Sequence, residues 1–154
     1  MNLPTVVIRH RRENLKKCSL RGLEAREDFL FITYPEKMPT LPDLSNYLLL
    51  AIDGEPLSEK DHFSGLLLID STWRLSEKIL KHENLQNIAR RSLPCGFKTA
   101  YPRRQDDCKD PGAGLASIEA LYAAFYLSCR PTEGLLDHYY WKEQFLEKNS
   151  SIFC

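Results

Sequence analysis

The sequence predicts an α/β protein, with a mostly parallel sheet in its N-terminal half and a helical C-terminal half. Three observations carry this prediction. Four short, unbroken apolar runs fall within the first 70 residues, as expected of strands covered on both faces. Loops or short helices separate them. Beyond residue 115 the apolar residues switch to helical spacing. On this reading residues 1–91 form an α/β lobe, 92–149 a mainly helical lobe, and 150–154 a loose tail.

The first strand is Thr5-Val6-Val7-Ile8, β-branched throughout. The segment 9–26 that follows is the most basic in the chain. Arg9, His10, Arg11, Arg12, Lys16, Lys17, Arg21 and Arg26 are opposed there only by Glu13 and Glu24. Such a window serves either as a solvated loop or as a surface for phosphates. Residues 28–34 are the second strand, closed by Pro35, and the prolines at 35, 39 and 42 make 34–43 a connecting loop. Residues 47–52 are the third strand, followed by a turn at Asp53-Gly54-Glu55-Pro56 and a short helix over 57–62.

The fourth run, Leu66-Leu67-Leu68-Ile69, stops abruptly at Asp70. Ser71 and Thr72 follow, both helix-capping types. Trp73, Leu75, Ile79 and Leu80 then recur at helical spacing, giving strand, sharp turn and helix. In open α/β sheets ligands bind outside the carboxyl ends of such strands, so residues 70–73 are the leading candidate site. Two uses compete: Asp70 or Ser71 caps the helix while Trp73 fills core, or the turn faces a ligand.

Residues 84–91 are polar to basic, and Phe97-Lys98-Thr99-Ala100-Tyr101 is expected as a last strand, stopped by Pro102. Residues 103–114 are an exposed loop carrying Arg103 and Arg104. Leu115, Ile118, Leu121, Tyr122 and Phe125 form a helical stripe with Ser117 as its N-cap. Pro131 and Gly134 break it, and 135–147 is the final helix. Its Tyr139, Tyr140 and Trp141 suit either core burial or stacking on bases.

Composition narrows the function. The formal net charge is zero, so any contact with nucleic acid rests on local clusters. The cysteines at 18, 95, 108, 129 and 154 include no C-x-x-C, and the four histidines form no H-x-x-x-H pair. Neither a disulfide framework nor a metal site is expected. No apolar run approaches the ~20 residues of a membrane span, and basic residues 9–12 interrupt any signal peptide; a reduced, cytoplasmic protein away from membranes is expected. Nucleotide-binding, serine-hydrolase and zinc-protease signatures are absent. What remains is a set of element ends near Asp70: Ile52-Asp53-Gly54, residues 70–73, Leu93-Pro94 and Ala100-Tyr101-Pro102. Such ends can wrap a nucleoside-like ligand through backbone groups.

At these residues the chain resembles the small-subunit ribosomal RNA aminocarboxypropyltransferases and, more distantly, the DTW-domain tRNA aminocarboxypropyltransferases. The family's K-K-C-[ST]-G-x-x-L element corresponds to Lys16-Lys17-Cys18-Ser19-Leu20-Arg21-Gly22-Leu23, and its D-x-[ST]-W to Asp70-Ser71-Thr72-Trp73. Its L-P, A-N-P and L-S-x-x-E-A elements correspond to Leu93-Pro94, Ala100-Tyr101-Pro102 and Leu115-Ala116-Ser117-Ile118-Glu119-Ala120. The ordered set spans residues 9–149. Leu20 and Tyr101 replace the family's glycine and asparagine, and the 103–114 loop is longer.

The resemblance implies a SPOUT-like fold with a trefoil knot and a monomeric enzyme whose C-terminal lobe completes the cofactor cleft. It implies S-adenosylmethionine as cofactor and transfer of a 3-amino-3-carboxypropyl group to a uridine or pseudouridine in RNA, ribosomal RNA before tRNA. It places Ser19 at the ribose, Asp70 at the bottom of the cleft and Trp73 on the methionine arm. Ile52, Leu93, Ala100 and Leu115 are implied to line the adenine pocket. Asp70 is the candidate catalytic residue, because a carboxylate can assist loss of the acceptor nitrogen's proton. Arg9, Arg11, Arg12, Lys16, Lys17, Arg21, Arg103 and Arg104 are the RNA-contact candidates, expected with Arg90 and Arg91 on one basic face. The rival readings are a SPOUT-type RNA methyltransferase and a non-catalytic RNA-binding module of ribosome assembly.

Overall fold

The computed structural model describes residues 3–11, 19–71, 73–94, 96–101 and 115–153; for Ile52, Trp73 and Arg74 it describes the backbone. The described residues form five strands: β1 (Thr5–His10), β2 (Phe29–Tyr34), β3 (Tyr47–Pro56), β4 (Gly65–Asp70) and β5 (Ala89–Ser92). They form one all-parallel sheet in the order β2-β1-β4-β3-β5. Among the described residues three α-helices accompany them: α1 (Trp73–Leu80), α2 (Ser117–Leu127) and α3 (Lys142–Lys148).

The apolar strands are covered on both sides, which is why they read as continuous runs rather than alternating patterns. Successive side chains still point to opposite faces. Val7, Phe29, Leu48, Leu66 and Leu68 pack with Ile118, Leu121 and Phe125 of α2 and Phe145 of α3. Val6, Ile8, Ile32, Leu49 and Leu67 pack on the other side with Ile79 of α1 and Leu85. Residues from both halves of the sequence thus share the first core.

Five expectations need correction. The fifth strand is Ala89–Ser92, at the end of the polar and basic 84–91 stretch, and not residues 97–101. At the sheet edge β5 is held by backbone pairing with β3 and needs no apolar run. The turn expected at residues 53–56 is an outward bulge within β3, since Leu50 and Glu55 both face Arg91. Gly54 adopts φ 105° there, and a Cβ on it would lie 2.6 Å from the Arg90 carbonyl oxygen. The 57–62 helix is one 3-10 turn, Glu59–Asp61. The final helix is confined to Lys142–Lys148. Ahead of it, bonds such as Leu135 N–H to Thr132 O and Tyr139 N–H to Leu136 O close i→i+3 turns that put Leu135, Leu136 and Tyr139 inward. Of the expected loose tail 150–154, the described residues 150–153 are docked: the Phe153 ring lies 4.9 Å from that of Tyr122 and 5.7 Å from that of Phe145.

Candidate functional site

The carboxyl ends of β1 and β4 lie side by side, with Arg9 in register with Asp70. Two-residue alternation places Arg9 on the face of Val7 and Asp70 on the face of Leu68, the side covered by α2. Both are buried, at 7% and 5% exposure. Arg9 Nε lies 3.4 Å from Asp70 Oδ2, and Arg9 Nη1 lies 3.6 Å from Glu24 Oε2. The guanidinium sits 4.6 Å from the Phe31 ring centroid, a cation–π distance.

This overturns the expectation of Arg9 on an outer basic face; it is an interior cation. Arg91 is likewise half-buried and paired with Asp61 at 3.4 Å. Arg11, Arg21 and Arg90 remain exposed, with Arg11 on Glu36 and Arg90 on Asp53, each at 3.1 Å. Arg12, Lys16, Lys17, Arg103 and Arg104 lie outside the described residues. Tyr139 is buried and Tyr140 is 82% exposed, so of the two only Tyr140 presents an open ring.

Asp70 Oδ1 accepts a 2.7 Å hydrogen bond from Ser117 Oγ. Ser117, the expected N-cap of α2, is instead its first helical residue, and Ala116 holds the cap position. The Ser117 hydroxyl therefore does no capping and reaches the strand end. The nearby orphan donor Ile118 N–H is taken by Ser19 Oγ at 3.2 Å, from 99 residues away. Ser19, Asp70 and the start of α2 therefore form one network. Ser71 Oγ lies 2.8 Å from Ser76 Oγ, inside the β4–α1 turn and first helical residues.

Leu93, Ala100 and Leu115 are half-buried and pack against the core on the same side of the sheet as Asp70. Ile52 lies in the β3 bulge, and Trp73 opens α1 three residues beyond Asp70. The structure thus gathers Ser19, Asp70, Leu93, Ala100 and Leu115 on the α2 side.

Glu119, expected as a first-turn acid of the helix and carried by the L-S-x-x-E-A element, joins them. Glu119 is fully buried and accepts hydrogen bonds from Thr99 Oγ1 (2.6 Å), Ala100 N–H (2.8 Å), Ala116 N–H (2.8 Å) and Tyr139 Oη (3.0 Å). A signal for it exists in the sequence. Residues 117–127 read SIEALYAAFYL, apolar nearly all round, and an acid in such a helix must be buried with partners.

The arrangement offers a buried acid paired with a cation at the carboxyl ends of parallel strands, half-buried apolar side chains on the same side of the sheet, and backbone held by side chains. That chemistry suits an organic ligand with a flat apolar face and a charged arm. Among the described residues no three His, Cys, Asp or Glu are grouped to hold a metal ion, and no helix is long and apolar enough to cross a membrane.

No family model matches the sequence, and no curated protein matches it. The fold matches the solved structure of the SAM-dependent rRNA:acp-transferase Tsr3 from Vulcanisaeta distributa, with a TM-score of 0.72. The match covers 97% of this chain and 80% of that one at 23% sequence identity. At that identity the likeness is one of fold.

Proposed function

We propose that this protein is an S-adenosylmethionine-dependent RNA aminocarboxypropyltransferase. It moves the 3-amino-3-carboxypropyl group to a uridine or pseudouridine nitrogen, in ribosomal RNA before tRNA, and leaves methylthioadenosine. One observation carries the reading. Three separate motifs of the family pattern meet at one sheet end: Asp70 accepts from Ser117 Oγ, and Ser19 Oγ accepts from the N–H of the next residue, Ile118, at the α2 N-terminus. The likeness of fold to a SAM-dependent rRNA:acp-transferase supports it. A SPOUT-like trefoil knot, a monomeric state and a cytoplasmic location belong to the same proposal.

The residues fit this cofactor by their chemistry. Leu93, Ala100 and Leu115 border the site with apolar atoms, and Ile52 adds the β3 bulge, as an adenine face requires. Ser19 Oγ accepts from Ile118 N–H, so its own proton remains to donate to a ribose oxygen. Trp73 packs on the methionine arm. When bound, the sulfonium supplies three electrophilic carbons, and the one held in line with the nucleophile reacts.

Asp70 is oriented by Ser117 on one oxygen and Arg9 on the other. A carboxylate so oriented can assist loss of the weakly acidic proton of the acceptor nitrogen. Arg11, Arg12, Lys16, Lys17, Arg21, Arg103 and Arg104 contact RNA phosphates, and the acceptor base enters single-stranded or extruded.

Calorimetry with S-adenosylmethionine, followed by single turnover on ribosomal RNA, tests the proposal. Methylthioadenosine as co-product is expected. S-adenosylhomocysteine would make the protein a methyltransferase, and absence of cofactor binding would leave a non-catalytic RNA-binding module.

A further inference from the structure

Residues 98–101 run beside the site without belonging to any strand. Two buried side chains hold them instead. Asn149 brackets Lys98, accepting from its N–H at 2.7 Å and donating to its carbonyl at 2.8 Å. Glu119 takes Thr99 Oγ1 and Ala100 N–H, and Tyr101 N–H in turn donates to Thr99 Oγ1 at 3.0 Å. The same carboxylate holds Ala116 N–H at the start of α2 and Tyr139 Oη from the turn ahead of α3.

We propose that Glu119 is a positioning residue for the cofactor. It sets residues 99–101 against the N-terminus of α2 and so fixes the backbone that meets the adenosine part of S-adenosylmethionine. This rests on the functional reading above. The chemistry requires a carboxylate. All four partners donate, and two of them, Ala100 N–H and Ala116 N–H, are backbone groups that cannot turn into acceptors. A carboxylate accepts on both oxygens. An amide in its place points its NH2 at one of those two backbone donors whichever way it is flipped. One buried N–H is then orphaned and the segment shifts.

The test compares Glu119→Gln with Tyr139→Phe. The second removes one of the four hydrogen bonds but leaves both backbone donors, Ala100 N–H and Ala116 N–H, on the carboxylate. Cofactor affinity by calorimetry, thermal unfolding and amide hydrogen exchange are read on the same samples. Glu119→Gln is expected to weaken S-adenosylmethionine binding by roughly tenfold or more at temperatures where it is fully folded. It is also expected to speed exchange of the Ala100 amide. Tyr139→Phe is expected to melt lower yet keep affinity and Ala100 protection within about twofold, since general stability is not what positions the segment. Should Glu119→Gln fail to fold, Thr99→Val carries the test: it cuts one strut of the segment, and weaker binding with faster Ala100 exchange is expected.

Unchanged affinity in folded Glu119→Gln overturns the proposal. So does unchanged Ala100 exchange, or equal weakening by Tyr139→Phe. If the unaltered protein binds no S-adenosylmethionine while Glu119→Gln still frees the Ala100 amide, the cofactor reading falls and the clamp stands.

Discussion

Strand β4 carries a buried acid–arginine cluster at each end. Ahead of its first residue, Asp61 accepts from Ser58 N–H at 3.1 Å and pairs with Arg91 at 3.4 Å. Arg130 donates there to the carbonyl oxygens of Asp61, at 3.1 Å, and Ser64. At the last residue, Asp70 meets Arg9 and Ser117. Asp61 and Asp70 are almost equally buried, at 4% and 5% exposure. The partners differ. Asp61 caps its own 3-10 turn, and Arg130 ties the residues after α2 to backbone carbonyls just ahead of β4. Burial pushes the Arg130 guanidinium below its usual pKa, and the Asp61 charge pulls it partly back. Asp70 instead gathers side chains 61 and 47 residues away. Similar residues therefore make a brace at one end and a candidate site at the other. Position at the carboxyl ends of parallel strands distinguishes them.

That contrast can be broken from either side. The largest stability effect is expected for Arg130→Met, which takes its donor from the Ser64 carbonyl and leaves the Asp61 carbonyl with Ser64 N–H alone. A loss of about 3–5 kcal/mol in urea unfolding is expected, with cofactor affinity of the folded protein unchanged. Weakened affinity would mean that the brace also shapes the site. Asp70→Asn should cost less, about 1–3 kcal/mol, because Arg9 keeps Glu24 and Phe31. Its single-turnover rate should nevertheless fall by about 100-fold or more. Pairing it with Arg9→Met should recover stability and not turnover. Full turnover in Asp70→Asn would make the two ends alike.

Smaller effects sharpen the site's outline. Arg11→Glu with Arg21→Glu should weaken RNA binding and spare cofactor binding. The salt dependence should flatten by about one unit of slope for each phosphate no longer neutralised. Equal RNA affinity at two salt concentrations would remove these residues from the interface. Ser19→Ala frees Ile118 N–H and should cost about 0.5–1 kcal/mol by thermal unfolding. It should also weaken cofactor binding; an effect on melting alone would make Ser19 only a helix cap.

Strands β1 to β4 are legible in the sequence because a strand buried on both faces must be apolar nearly throughout, and such runs stand out. The stop at Asp70 marks a strand end for the same reason. Strand β5 is not legible: an edge strand draws its stability from backbone pairing, which leaves no trace in side-chain type. Arg9 is hidden by a boundary. Ending β1 at Ile8 makes it a loop residue, whereas two more residues of strand turn it inward beside Val7. Glu119 shows only as an acid in an apolar helix. That Asp70, Ser117 and Ser19 meet was decided by tertiary structure alone. A hydrogen bond across 47 or 99 residues depends on how sheet and helix pack, and no local propensity encodes that distance.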